Sequence, residues 1–284
     1  MTRPCENVTV TNCTLSTRCC GVRIGYVGDA PIRNFTLSNL VMYNCRTGID
    51  LLCGVESPWQ LEGEPVVEHG PMIENISFSN LTMDTRMAIY FWTGGGARPP
   101  ACIRNISISD VIATTTHACY IGGSKEVPIE DVRINNLKLT VRGEVDGRYV
   151  RSVPYPSSCW SQPGIPHAFY VRHARNIELN SIRVAWGAIT GPWRSVVRAE
   201  TVENLDVNGL IARQALPDSD APVIHLTDAR GASVRGCRPE AGTNTFLRLE
   251  GAGSTASLTA NDVRLARQAF QLGGGVPANA LTLR

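Results

Sequence analysis

Few residues in this sequence stand where they could do chemistry. Arg23 and Asp50 lie in Gly-Val-Arg-Ile-Gly (21–25) and Gly-Ile-Asp-Leu-Leu (48–52), alternating with Val22, Ile24, Ile49 and Leu51. In a strand this alternation puts both charges on the face opposite the apolar residues. A guanidinium there can hold a carboxylate ligand through two parallel hydrogen bonds, or close an ion pair between neighbouring strands. Residues 54–70 carry Glu56, Trp59, Glu62, Glu64, Glu68 and His69, an acidic set with one ring that can stack. Residues 143–166 carry Arg148, Arg151, Tyr155, Cys159 and Trp160, whose basic and aromatic character suits an acidic ligand better. Long loops in compact domains are often functional. The bland alternatives are a solvated loop for the first and a cover over a strand face for the second. His167 and His173 flank 168–172, too far apart along a strand to share a metal ion, and are expected to be structural. The ten cysteines show no Cys-x-x-Cys or Cys/His metal spacing. Adjacent Cys19 and Cys20 suit small apolar packing better than a disulfide framework, so mostly free, buried thiols are expected. No metal or cofactor is expected, and no catalytic residue can be named from these residues alone.

Composition removes other classes. The basic residues are scattered and the formal charge is only +2, which gives no electrostatic footprint for nucleic acid. No run approaches the roughly 18 apolar residues of a membrane-spanning helix. The opening MTRPCENVTV has no apolar core of a secretory signal.

The elements that must position these residues are legible as a repeat. Asn7-Val-Thr-Val-Thr-Asn12 returns as Asn34-Phe-Thr-Leu-Ser-Asn39, then from Asn75, Asn105, Asp131, Asn176 and Asn204, with weaker copies at Gly231 and Ser257. The starts differ by 27, 41, 30, 26, 45, 28, 27 and 26 residues, a base period of 26–28 with insertions at 54–70 and 143–166. Each copy alternates apolar and polar residues, the period of a half-buried strand. A second strand follows about fourteen residues later, as at 21–25, 48–52, 88–92 and 118–122. A repeat of this length with short strands and no helix closes one turn of a coil whose neighbours pair in parallel. The expected fold is all-β: one domain, 1–284, a right-handed single-stranded parallel β-helix of about nine to ten rungs. The Asn residues bounding each strand should take the left-handed conformation and stack as amide ladders. The first copy begins at Asn7 without a covering helix, so a missing N-terminal cap is expected. Cys13 should be buried and unbridged, sharing an inward column with Leu40, Leu81 and Val111.

The block CENVTVTNCTLSTRCCGVRIGYVGDAPIRNFTLSNLVMYNCRTGIDLL, followed by IENISFSNLTMD, resembles the middle of glycoside hydrolase family 28, the polygalacturonases and rhamnogalacturonases. HAFYVRHARNIELNSIRV and VVRAETVENLDVNGL are similar to the C-terminal rungs of its bacterial members. The resemblance implies inverting hydrolysis of O-glycosidic bonds in pectin-type acidic polysaccharide, and a secreted or periplasmic protein. It places Arg23 and Asp50 on the cleft face. Inversion needs a protonated acid and a water-activating carboxylate roughly 6.5–9.5 Å apart. The family draws them from an Asn-x-Asp strand and an Asp-Asp pair, followed by a Gly-His-Gly turn and an Arg-Ile-Lys strand. Here no Asp-Asp occurs, and its place would lie before Met1. Asn204-Leu-Asp206 matches Asn-x-Asp in letters only, seven repeats too late. The Gly-His-Gly turn falls on Cys19-Cys20-Gly21 and the Arg-Ile-Lys strand on Asp50-Leu-Leu52.

Three classes stay open: a glycosidase-family polypeptide inactive by itself, a non-catalytic carbohydrate-binding β-helix, and a structural tailspike-like solenoid. The expected partner is an acidic polysaccharide or oligosaccharide, not nucleic acid or membrane. The candidate substrate-binding residues are Arg23, Asp50, Trp59, Arg148 and Trp160.

Overall fold

The computed structural model describes residues 3–55, 66–94, 96–144, 164–217 and 219–283. The described chain is nearly all strand; its single helical element is the 3-10 turn Ala278–Ala280. Every strand pairing among the described residues is parallel, from Cys5–Ser16 on Pro31–Gly54 to Ala256–Thr259 on Leu281–Leu283.

Register follows the repeat read from sequence. Val8 pairs with Phe35, and the row continues through Ile76, Ile106, Val132, Ile177 and Leu205. All but Val8 are buried, each contributing roughly 1.5–3 kcal/mol relative to exposure. The next inward row is Cys13, Leu40, Leu81, Val111, Leu137 and Ile182. Cys13 is unbridged, but it is half-buried rather than buried. Its strand, Cys5–Ser16, pairs on one side only among the described residues, so both Val8 and Cys13 lack the neighbour that would cover them. The nine described cysteines are all free; four are buried, four half-buried and Cys5 is exposed.

The bends are built as the sequence implies. Asn7, Asn34, Asn75, Asn105, Asn176 and Asn204 all have φ between 54° and 63°. Their amides form a ladder: Asn34 Nδ2 donates to Asn7 Oδ1 at 3.1 Å, Asn75 to Asn34 at 3.2 Å and Asn105 to Asn75 at 2.7 Å. A second ladder links Asn12, Asn39 and Asn80 at 3.0 and 2.8 Å. An L residue other than Asn or Asp pays about 1–2 kcal/mol for the left-handed conformation. Asn105→Ala should therefore lower stability by about 2 kcal/mol, the conformational cost plus a lost hydrogen bond. Asn105→Gly, free of the conformational cost, should lose about half as much. Urea melts of the two variants check this; equal losses would assign the effect to the ladder alone.

A second sheet, joined to the first through the long strands in one 17-stranded arrangement, starts with Cys20–Val27 and runs through the later parts of Pro31–Gly54 and Met72–Thr93, then Cys119–Gly122. Its middle strands are apolar on both faces. Ile49, Leu51, Ile89, Phe91 and Ile121 enter the main core, while Leu52, Tyr90, Trp92, Tyr120 and Tyr170 form a separate outer cluster with Met87, Ala118 and Ile165. Parallel strands covered on both faces read as continuous apolar runs, as 88–92 does.

Candidate functional site

The outer face of this second sheet is where the side chains able to do chemistry converge. One row runs Arg23, Asp50, Tyr90, Tyr120, Tyr170, Arg198, His225, Arg248, Gln271. The parallel row two residues on runs Gly25, Leu52, Trp92, Gly122, Arg172, Glu200, Thr227, Glu250. Successive members stand about 4.8 Å apart, the spacing of paired strands.

At the N-terminal end the structure brings Arg23 and Asp50 together as partners. Asp50 Oδ2 accepts from Arg23 Nε and from Cys20 Sγ, both at 2.9 Å, and Arg23 Nη2 reaches Cys20 Sγ at 2.9 Å. Alternation does turn Asp50 away from Ile49 and Leu51, yet it is only 1% exposed. Its Oδ1 is buried without a hydrogen-bond partner. Burial raises the Asp50 pKa against the Cys20 hydrogen bond and the Arg23 and Arg46 charges. Burial also drives the Cys20 thiol far up, so it sits there as a neutral donor. This is the ion pair between neighbouring strands, and Arg23 is committed to it.

The middle of the row is aromatic. The Tyr90 and Tyr120 rings stack with centroids 5.1 Å apart, and Tyr120 meets Tyr170 at 5.8 Å. All three are buried, so these rings pack the outer cluster and offer no open face to a sugar.

The C-terminal end is a network of charge. Arg198 donates to Glu200 Oε1 through Nε at 2.9 Å and Nη2 at 2.6 Å, and Tyr170 Oη donates to Glu200 Oε2 at 3.0 Å. Arg198 and Glu200 are both buried, and Arg198 Nη1 is a buried donor with no acceptor. His225 Nε2 stands 3.0 Å from Glu250 Oε2, which also accepts from Thr227 Oγ1 at 3.4 Å. Arg248 is held by Gln271 Oε1 and the Asp220 carbonyl. Burial, then the Arg198 charge, pushes the His225 pKa down to about 4 despite Glu250. Burial also holds His167, whose ring packs on Tyr170, well below its usual value. Burial alone would raise Glu250, but the neighbouring His225 and the arginine charges outweigh it and hold Glu250 low.

These shifts set an acid limit. Both histidines bind protons less readily folded than unfolded, so between the ordinary His pKa near 6.5 and about 4 the unfolded chain carries more protons. Stability should be full above that window and fall as pH drops through it. Thermal melts from about pH 7 to about pH 4 check this, and His225→Asn should flatten part of the slope. A melting temperature constant across the window would contradict it.

Of the remaining sequence candidates, Trp59, Arg148 and Trp160 lie outside the described residues, as do Glu56, Glu62, Glu64, Arg151, Tyr155 and Cys159. The first insertion returns to the fold at Asp29, whose carboxylate accepts the backbone N–H groups of Glu68, His69 and Gly70 at 2.8–3.0 Å. Burial raises the Asp29 pKa, but these donors prevail and lower it. Asp29→Ala should leave the core intact and release this segment, visible as faster amide exchange at 68–70 with the melting temperature little changed. Protection unchanged at those amides would count against the anchor.

Sequence reading missed Arg198, Glu200, His225 and Glu250. Their signal is present as Val-Arg-Ala-Glu (197–200), Ile-His-Leu-Thr (224–227) and Leu-Arg-Leu-Glu (247–250), polar residues two apart in three successive repeats. Among the described residues no three His, Cys, Asp or Glu side chains form a metal-ligand group, and no helix is long and apolar enough to cross a membrane. Comparison with family models, curated proteins and solved structures finds no match.

Proposed function

We propose that the chain is a right-handed parallel β-helix of nine to ten rungs, of the pectin-degrading type, whose second-sheet face binds an acidic polysaccharide. Support for the coil is the parallel register at one repeat per step. Each return between neighbouring first-sheet strands is a crossover between parallel strands, a connection that is right-handed in about 98% of cases.

The observation that carries the binding reading is the buried, acceptor-less Nη1 of Arg198 beside His225 and Arg248 in the next two strands. A buried guanidinium donor left unmatched costs stability, and a carboxylate arriving from a ligand would satisfy it. Arg198 and Arg248, two strand spacings apart, suit a polymer that repeats its carboxylates along the coil. Glu200 and Glu250 do not make this an inverting pair. Their backbones stand roughly two strand spacings, 9–10 Å, apart, but Glu200 is tied to Arg198 and Tyr170, and Glu250 is held ionised. Neither supplies the proton that the leaving oxygen needs.

Calorimetric titration with polygalacturonate oligosaccharides, beside their methyl-esterified forms, tests the reading. Saturable binding of the acidic ligand, weakened about tenfold in Arg248→Gln (about 1.4 kcal/mol), is expected. Equal affinity for the neutral ester, or none for either, would overturn it. Hydrolysis of the same polymer is the second reading, favoured by the resemblance of residues 5–54 to family 28.

A further inference from the structure

A different charged feature lies at the bend between the two sheets, on the earlier repeats. A groove of about 370 Å³ is lined there by Arg18, Arg46, Arg86 and Arg142, with Asp84 and Thr116 between them. Position in the repeat explains the cluster. Arg18 precedes the second-sheet strand Cys20–Val27, and Arg46 sits one repeat later, its backbone N–H donating to the Cys19 carbonyl at 2.8 Å. Thr47 pairs with Met87, which puts Arg86 one repeat further on. Arg142 ends the first-sheet part of a later repeat and reaches back to Asp84 Oδ1 at 2.6 Å. Arg142 pairs with Asp84 and the Arg46 charge acts on Asp50, which leaves the exposed Arg18 and Arg86 as the excess positive charge of the lining, in a chain whose whole formal charge is +2. Like charges gathered at strand spacing repel one another, and an anion bound among them relieves that repulsion.

We propose that this corner groove is an anion-binding site for a linear anionic glycan, engaging carboxylate or sulfate groups on successive sugars. Three features select that class. Arg18, Arg86 and Arg142 are exposed while Arg46 is buried, so the lining has one fixed guanidinium and three accessible ones. Arg18 makes no ion pair among the described residues, and guanidinium forks match carboxylate and sulfate oxygens in pairs. The groove extends over several repeats at about 4.8 Å each, which suits a chain of anions rather than a compact ion. No aromatic side chain lines it, so the stacking platform that single-stranded nucleic acid uses is lacking. The site is independent of the Arg198–Arg248 face, which belongs to later repeats.

The test uses the whole chain and two probes, polygalacturonate oligosaccharides and dextran sulfate, titrated between about 50 and about 200 mM salt. Arg18→Gln/Arg86→Gln changes two exposed side chains and should leave the melting temperature unchanged. It should weaken at least one probe about tenfold and flatten the salt dependence; which probe responds identifies carboxylate or sulfate as the anion. Unchanged affinity for both probes would overturn the groove. Arg248→Gln separates the two sites, since loss there with the groove variant silent leaves the second-sheet reading standing and removes this one. The converse result keeps the groove and removes the other. Tighter binding of single-stranded DNA than of either glycan, lost in the same variant, would overturn the glycan assignment.

Discussion

Arg198→Met should lower the unfolding free energy by about 3–5 kcal/mol, the range for breaking a buried ion pair from one side. The loss follows from what stays behind. Glu200 is 9% exposed and shares one oxygen with both Arg198 nitrogens, leaving Tyr170 on the other. Without the guanidinium the buried, ionised carboxylate loses a charged partner that gives it two hydrogen bonds, and its desolvation is less well offset. Arg198→Met/Glu200→Gln removes both charges and keeps an oxygen for Tyr170, so it should recover most of the loss. Urea melts of parent, single and double variants check the pair as a cycle. A single variant within about 1 kcal/mol of the parent would show the pair to be solvated like a surface one. The cycle also bears on function, because the double variant keeps the fold but lacks the Arg198 donor proposed to meet a ligand carboxylate.

The first sheet was legible because its signal is local. Asn or Asp at both ends of a five-residue alternation fixes where the chain bends and which residues point inward. Val8, Phe35, Ile76 and Ile106 then follow by counting, and their register agrees. Burial of the outer second-sheet face was not legible from alternation. The period assigned Asp50 to the side away from the core, and it is on that side. It does not say that Cys20, Arg23 and the outer cluster close over that side. Cys13 shows the reverse limit: its type and column were right, but its burial depends on a neighbour strand that no feature of its own segment reports. The Arg198–Glu200–His225–Glu250 network escaped because the repeat was aligned on its first strand. The polar residues two apart in the second strand become a face only when that strand is aligned too.

The purified chain should release no reducing sugar from polygalacturonate or rhamnogalacturonan, even where it binds the polymer. Inverting hydrolysis needs a proton donor and a water-activating carboxylate on opposite sides of the scissile bond. Each positioned acid or base contributes on the order of 10²–10⁴-fold, so lacking both would put turnover below detection. Asp50 is the described acidic group whose burial favours the protonated form, the condition a donor must meet. It is nevertheless enclosed, with Oδ2 engaged by Arg23 and Cys20, and its row neighbours are Arg23 and Tyr90 rather than a second carboxylate. Glu250 has the opposite defect, being half-exposed but held ionised. One group can keep a proton and the other can activate water, but His225 stands in the strand beside Glu250 and Arg198 in the one beyond it, and the Asp50 strand is several repeats away. A bound sugar cannot touch both at once. Reducing-end assays on the parent, Asp50→Asn and Glu250→Gln chains should therefore all read at background. Saturable release by the parent that disappears in Asp50→Asn would show that Asp50 opens to substrate and works with a carboxylate from outside the described residues.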